Sequence, residues 1–553
     1  MRRERGAQRA APVLLNRMPP INVLLRNVSL AGQIGRYAIA ISGERIVWVG
    51  PDRDASSWQS TATRVIDGSG MLALPGLTDC HFHLHNGARA LGVLRLEDAQ
   101  SVADLQARLA AYAAANPHLP WLIGRGWRYR LFSPDQLPDR RLLDAVVPDR
   151  PVLLTAFDGH TAWANTAALQ IAGILNGAET GNPLSTVVLG ADGLASGELR
   201  EAPAMDLVRR CIPPPTEAEL RDLLRRALRE LAALGLTCVH NMDGDEAQRA
   251  RYRELAAAGE LTLRIRLPLS VSPGTDPHRI TMWAADARRH PHPFIQTDAV
   301  KLFVDGVVEA KTALMLAPYA DGSGECGVAN YDPVEFVDLI TRADAAGLQV
   351  CVHAIGDGGV RQTLDAFAAA QRTNGRRDAR HLVEHAEIVD PADLPRFAAL
   401  GVIASVQPVH VDFGIDQANP WWRLVGRQRL RYGFPWRDLL RAGARMALGS
   451  DWPVADPNPL RGMQVACTRG KLDFSSPESD FPDQRLTMAE ALAGYTTWAA
   501  YAGFREHELG HLDAGYLADV ILLDRDITVG PPDQIATAQV MLTMVGGKVV
   551  FTR

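Results

Sequence analysis

The sequence predicts an α/β chain: a closed (β/α)8 TIM barrel carrying a small β-sandwich built from both chain ends. Three observations predict it. Short apolar strands alternate through the middle of the chain with Ala/Leu/Arg stretches of helical period. Strand-rich segments of one texture stand at both ends. Metal-ligand-type side chains recur where the middle strands stop.

Taken in order, residues 1–20, "MRRERGAQRAAPVLLNRMPP", are basic, and their only apolar stretch, "APVLL", is too short for a signal-peptide core. They are expected to be a mobile tail on a cytoplasmic protein. No apolar run is long enough to cross a bilayer, so no membrane partner is expected. A formal charge of -5 provides no basic field for nucleic acid, and 47% hydrophobic with 22% charged residues is ordinary for a soluble globular chain. At 553 residues, two or three domains are expected. The 6 cysteines show no C-x-x-C pair and fall mostly in apolar runs, as reduced buried thiols do.

Residues 21–74 ("INVLLRNVSL", "YAIAISGERIVWVG", "TRVIDGSGMLALPG") and 510–553 ("ADVILLDRD", "VMLTMVGGKVVFTR") read as short strands punctuated by Gly-containing turns. Isolated hairpins are marginal in water, so one composite β-domain from both ends is the economical reading.

Residues 75–509 then form the barrel. Its eight strands are expected at the His81 run, 151–160, 236–241, 299–306, 348–357, 381–387, 401–409 and 445–454, each followed by helix-like sequence. Lys301 would lie on the fourth. Three strand–helix units need about 100 residues, yet the chain runs from 83 to 301. Insertions are therefore expected at about 86–150 and 170–215, over the C-terminal face of the barrel.

In "LTDCHFHLH" (77–85), His81 and His83 share a strand face while Cys80 and Phe82 alternate away. An isolated H-x-H is more often a packed or hydrogen-bonded pair than a metal site. Here His353 in "VCVHAIGD", His385 in "LVEHAE" and Asp451 in "MALGSDWP" also end apolar runs, and strand ends converge at a barrel mouth. Four histidines and one aspartate at such ends make a metal site the better reading. Lys301, inside "VKLFV", needs a reason to be buried. One reason is a salt bridge, for which Asp305 is on the same face. The favoured one is desolvation that frees the amine to take up carbon dioxide, giving an anionic carbamate able to bridge two cations.

His160 in "FDGHTAWAN" and His240 in "TCVHN" end apolar strands, so substrate contact and a structural hydrogen bond stand equal for each. Trp127, with Arg125 in "GRGW", could line a pocket or pack as a corner. His85 is read as a loop residue, not a ligand. "GDGG" (356–359) lacks the Lys-Ser/Thr of a phosphate loop.

The order H-x-H, Lys, His, His, Asp resembles the amidohydrolase superfamily. "LPGLTDCHFHLH", "GRGW", "DGHTAWAN", "VKLFVDG", "VHAIGD", "EHAE", "GSDWPV" and "GYLADVILLD" resemble its amidohydrolase-3 branch, which includes N-substituted formamide deformylases. The resemblance implies one zinc on His81, His83 and Asp451, and a second on His353 and His385, with carboxylated Lys301 bridging both. It also implies hydrolysis of a small-molecule amide, formamide or cyclic amide by a bridging hydroxide, with Asp451 as general base and then acid. Two alternatives remain: a mononuclear, deaminase-like hydrolase with uncarboxylated Lys301, and a barrel kept as a binding scaffold, which would have lost ligands where this chain has lost none. A homodimer is the base-rate expectation for assembly.

Overall fold

The computed structural model describes residues 20–132, 138–156, 161–180, 185–411, 420–470 and 481–553. The fold is α/β, and the chain divides into two compact units, one of residues 85–227 and one made of the rest. Among the described residues no helix is long and apolar enough to cross a membrane.

In the larger unit the two chain ends share one sheet. Val23–Leu30, Tyr37–Ser42, Arg45–Pro51, Arg64–Asp67 and Leu72–Pro75 join Val520–Leu523, Val540–Val545 and Lys548–Thr552. The junction is antiparallel, with Val520 opposite Pro75 and Leu523 opposite Leu72. Alternation along each strand serves two faces: Leu25, Ile39, Ile41, Val520 and Met544 enter one apolar cluster, while Leu24, Ala38 and Ala40 enter another.

The same unit holds two parallel sheets. One orders Ile295–Gln296, Arg264–Arg266, Leu236–Asn241 and Leu77–Phe82; the other orders Leu269–Ser270, Ala299–Phe303, Gln349–Ala354, Leu382–His385, Ile403–Val406 and Arg445–Leu448. Single bridges pair Phe82 with Trp452 and Gly244 with Leu269. These strands read as apolar runs because both of their faces are covered. Helices separate most of them, and "DP" starts two: Asp276 and Asp332 accept backbone N–H groups of the first turn, with proline just inside.

One predicted strand is corrected. Val152–Ala156, from the expected 151–160 strand, lies instead in the mixed six-stranded sheet of the smaller unit, parallel to Leu122–Trp127 and antiparallel to Thr161–Ala164. Its expected place beside Leu77–Phe82 is taken by Leu236–Asn241, and a strand the sequence did not announce, Arg264–Arg266, follows on the other side, with Cys238 opposite Arg264. Two arginines break the apolar pattern there, so the run did not read as a buried strand. Both are buried in ion pairs: Arg264 grips Asp519 through Nε at 2.7 Å and Nη2 at 3.0 Å, and Arg266 meets Asp298 at 2.9 Å.

Candidate metal centre

Two neighbouring strands build the first ligand group. Asp451 N donates to His81 O at 2.7 Å, and His83 N donates to Trp452 O at 2.9 Å. The approach needs glycine at 449, because a Cβ there would stand 2.5 Å from His81 N and 2.7 Å from Asp79 Oδ1. Asp79 Oδ1 ties both segments, accepting from His81 N and Ser450 N at 3.0 Å each. Asp451 itself is left-handed, with φ 62°, as is His385 at 75°. Such backbone is costly for a residue with a side chain and collects at functional sites.

Asp451 Oδ1 consequently lies 2.9 Å from His83 Nε2 and 3.4 Å from His81 Nε2. One ligand atom from each of these three residues falls within 4.8 Å of the others. Tetrahedral ligands about 2.0–2.2 Å from a zinc are about 3.3 Å apart, so these separations suit a shared cation.

The far side of each histidine faces a carboxylate, hydrogen-bonded to His81 and within ion-pair range of His83. Glu384 Oε2 is 2.7 Å from His81 Nδ1, and Asp243 Oδ2 is 3.5 Å from His83 Nδ1. An ionised carboxylate only accepts, so a neutral ring carries its hydrogen on Nδ1 and turns the Nε2 lone pair to the cation side. His353 is set the other way round: its Nε2 meets Gly306 O at 3.1 Å, which leaves Nδ1 as the lone-pair nitrogen.

His385 links the two sets, its ring centroid 4.6 Å from His81 and 4.4 Å from His353. Burial, aided by the neighbouring positive groups, pushes His353 down to about 3 and His385 well below the usual imidazole range, so both are neutral donors. Burial disfavours a charge on His83 too, but Asp243 and Asp451 outweigh it and push that ring up to about 9.

Lys301 is fully buried on the neighbouring strand, with Phe303 opposite His353 in the register. Its Nζ has no hydrogen-bond partner among the described residues. Burial lowers its pKa against the opposing pull of Glu384 and Asp451. Asp305, the alternative partner, is occupied elsewhere, accepting from Leu314 N, Ile355 N and Gly356 N at 2.9–3.1 Å. The six sequence-derived residues thus include five that touch directly or through ring contacts, His81, His83, Asp451, His385 and His353, and a desolvated amine on the strand next to His353. Among the described residues a buried lysine amine without a hydrogen-bond partner, the unpartnered His81 Nε2 and His385 Nδ1, and the Asp451 carboxylate fit divalent-metal ligation.

The weaker candidates lie elsewhere or beyond description. Trp127 is fully buried in the smaller unit, donating Nε1 to Leu154 O at 2.8 Å and packing edge-on to Phe132 and Trp163. His160 lies outside the described residues. His240 lines a small cavity with Thr78, Cys238, Arg264 and Arg266, none of them a ligand proposed from the sequence, and burial holds its ring well below the usual range. Cys80 packs with Met242, Ala299, Cys351 and Leu382, and burial pushes its thiol up, so it is no competing ligand. The sequence reading missed Glu384, Asp243, Glu387 and His410. "LVEHAE" contained the signal for two of them, since its carboxylates stand in an apolar run.

The amidohydrolase family model matches residues 64–551. The Arabidopsis thaliana protein LONG AFTER FAR-RED 3 is 31% identical over 93% of this chain and 88% of its own length. The N-substituted formamide deformylase of Arthrobacter pascens is 28% identical over 96% of this chain and 98% of its own. Among solved structures, an uncharacterized metal-dependent hydrolase from Pyrococcus furiosus superposes with a TM-score of 0.71 and 26% identity, covering 92% of this chain and 100% of that one.

Proposed function

The chain belongs to the amidohydrolase family and is a metal-dependent hydrolase of carbon–nitrogen bonds; on that premise we propose that it cleaves an amide, formamide or cyclic amide of a small molecule at a two-zinc centre. His81, His83 and Asp451 would hold one zinc; His353 and His385 would hold the other, with Lys301 as a carbamate between them. The observation that carries the reading is the cation-sized group of His81, His83 and Asp451, its two histidines each backed by a carboxylate. A closed barrel around these strand ends is part of the proposal. Its support is the parallel pairing from Leu236–Asn241 to Leu77–Phe82 and the bridge from Phe82 to Trp452.

When bound, the cations would polarise the carbonyl and make water nucleophilic near neutral pH. The chain's own groups do the rest. Glu384 fixes the rotamer and tautomer of His81, and Asp243 faces His83 Nδ1 within ion-pair range. Burial lowers the pKa of the Lys301 amine, which favours the unprotonated form that carbon dioxide uptake requires. Asp451 is the proton carrier. Its Oδ1 faces His81 and His83, and its Oδ2 lies 3.6 Å from His410 Nε2. Histidines hold its pKa well below the usual carboxylate range against the opposing effect of burial, so it starts as the base that takes the proton from water. It then delivers that proton to the departing nitrogen.

Asp451→Asn keeps the ligand shape and removes the base. Turnover is expected to fall by about 100-fold or more, with most of the metal retained. The assay is a panel of N-formyl, N-acyl and cyclic amides with zinc-loaded protein. Full activity in the variant would contradict the role of Asp451, and one metal per chain with an unmodified Lys301 would favour the mononuclear alternative.

A further inference from the structure

Outside the six residues above, a second cluster of ligand-type side chains stands at the same strand ends. His385, Glu387 and His410 each offer a ligand atom within 4.8 Å of the others, and all three are buried. We propose that they form a further divalent-cation position, separate from the His81–His83–Asp451 group, which competes for His385 and slows the enzyme when metal is in excess. The proposal rests on the metal-dependent reading in that it shares His385.

The local backbone makes the cluster. After the strand Leu382–His385, His385 and Ala386 are both left-handed, with φ 75° and 46°, and the reversal brings Glu387 beside its near neighbour. His410 closes the short 3-10 turn Pro408–His410 that follows the next strand. The rings of His385 and His410 lie nearly parallel, 11° apart in plane with centroids at 5.8 Å. The Glu387 carboxylate is oriented by Trp421, whose Nε1 donates to Oε2 at 3.1 Å. Its other oxygen, Oε1, stands 3.3 Å from His410 Nδ1. That separation equals the edge of a tetrahedron about a zinc with ligands at about 2.0–2.1 Å.

Charge favours the same conclusion. Glu387 is a buried carboxylate whose ion-pair partner is the His410 imidazole, and among the described residues no lysine or arginine, which would carry a permanent charge, comes within ion-pair range of it. A buried anion needs a compensating charge. Two imidazoles and one carboxylate select zinc or a similar transition metal over calcium or magnesium, which prefer all-oxygen sites. Because His385 also serves the proposed productive pair, a cation drawn toward Glu387 and His410 takes a ligand from that pair.

The test counts zinc on the full chain. Chelator-stripped wild type, E387Q, H410Q and H83A are dialysed against rising zinc, and bound metal, melting temperature and wild-type turnover are followed. The expected result is that wild type saturates one equivalent above both E387Q and H410Q. Its melting temperature rises over that last equivalent, as binding to the folded state requires, while turnover falls over the same range; neither substituted chain shows that rise. Equal saturation of wild type, E387Q and H410Q would overturn the inference, and Glu387 and His410 would then be a hydrogen-bonded pair only. H83A separates the two readings. A loss of metal in H83A without a loss in E387Q and H410Q sinks the further position alone, whereas no loss in any of the three sinks the metal-dependent reading as well.

Discussion

Glu384 shows at the scale of one residue how the centre is built. It carries no ligand atom in the proposed cation group, yet it is fully buried and holds His81 Nδ1 at 2.7 Å. An orienting carboxylate of this kind is worth about 10–100-fold in metal affinity. Glu384→Gln keeps the volume and weakens the bond, so zinc is expected to dissociate about 10–100-fold more readily in competition with a chelator. Affinity equal to wild type would remove Glu384 from the site's design. The proposed ligands were legible in the sequence because each is a polar exception within or at the end of an apolar run. Glu384 is the same kind of exception, but its role was not legible, because its partner His81 is remote in the chain and meets it only through the folded sheet. Asp243 was hidden for the same reason, since nothing local ties it to His83.

Elements were legible where their pattern was pure. "LQVCVHA" and "AVKLF" announce buried parallel strands, and both ends of the chain announced the shared sheet. Arg264–Arg266 did not, because the partners that neutralise its arginines, Asp519 and Asp298, are chosen by tertiary packing. The strand at Val152–Ala156 has apolar character typical of either sheet, so composition could not assign it. Helix ends are governed by nearer neighbours and support a local prediction. Glu490 closes the capping box of Met488–Gly494 with Thr487 and pairs with Arg437 at 2.6 and 2.8 Å. Arg437, then the Thr487 groups, hold its carboxyl down to about 2, against burial. A lowered folded-state pKa gives stability above the unfolded value of about 4.3 that is lost as pH falls toward about 2. Glu490→Gln is expected to cost about 1–2 kcal/mol at neutral pH after solvent screening. That deficit should shrink between pH about 4.3 and about 2 in urea melts; a deficit constant across that window would contradict the assignment.

For the whole molecule, one buried ion pair ties the ends of the chain to the sheets that carry the site. Arg264, from the parallel strands, and Asp519, just before the C-terminal strand Val520–Leu523, meet through two bonds, and Gly546 N adds a third to Asp519 at 2.7 Å. Removing one charge strands the other in the interior, so Asp519→Asn is expected to destabilise the fold by about 3–5 kcal/mol, read from the urea midpoint; a loss below about 1 kcal/mol would mean the pair is solvated in solution. The larger claim is that residues spread from 81 to 451 meet to hold cations. The most direct measurement is anomalous-difference density at the zinc edge from crystals of the zinc-loaded chain. A peak is expected about 2.0–2.2 Å from His81 Nε2, His83 Nε2 and Asp451. A second peak is expected beside His353 and His385, with added density on Lys301 Nζ. Zinc bound only elsewhere, with these ligands bare, would contradict the claim.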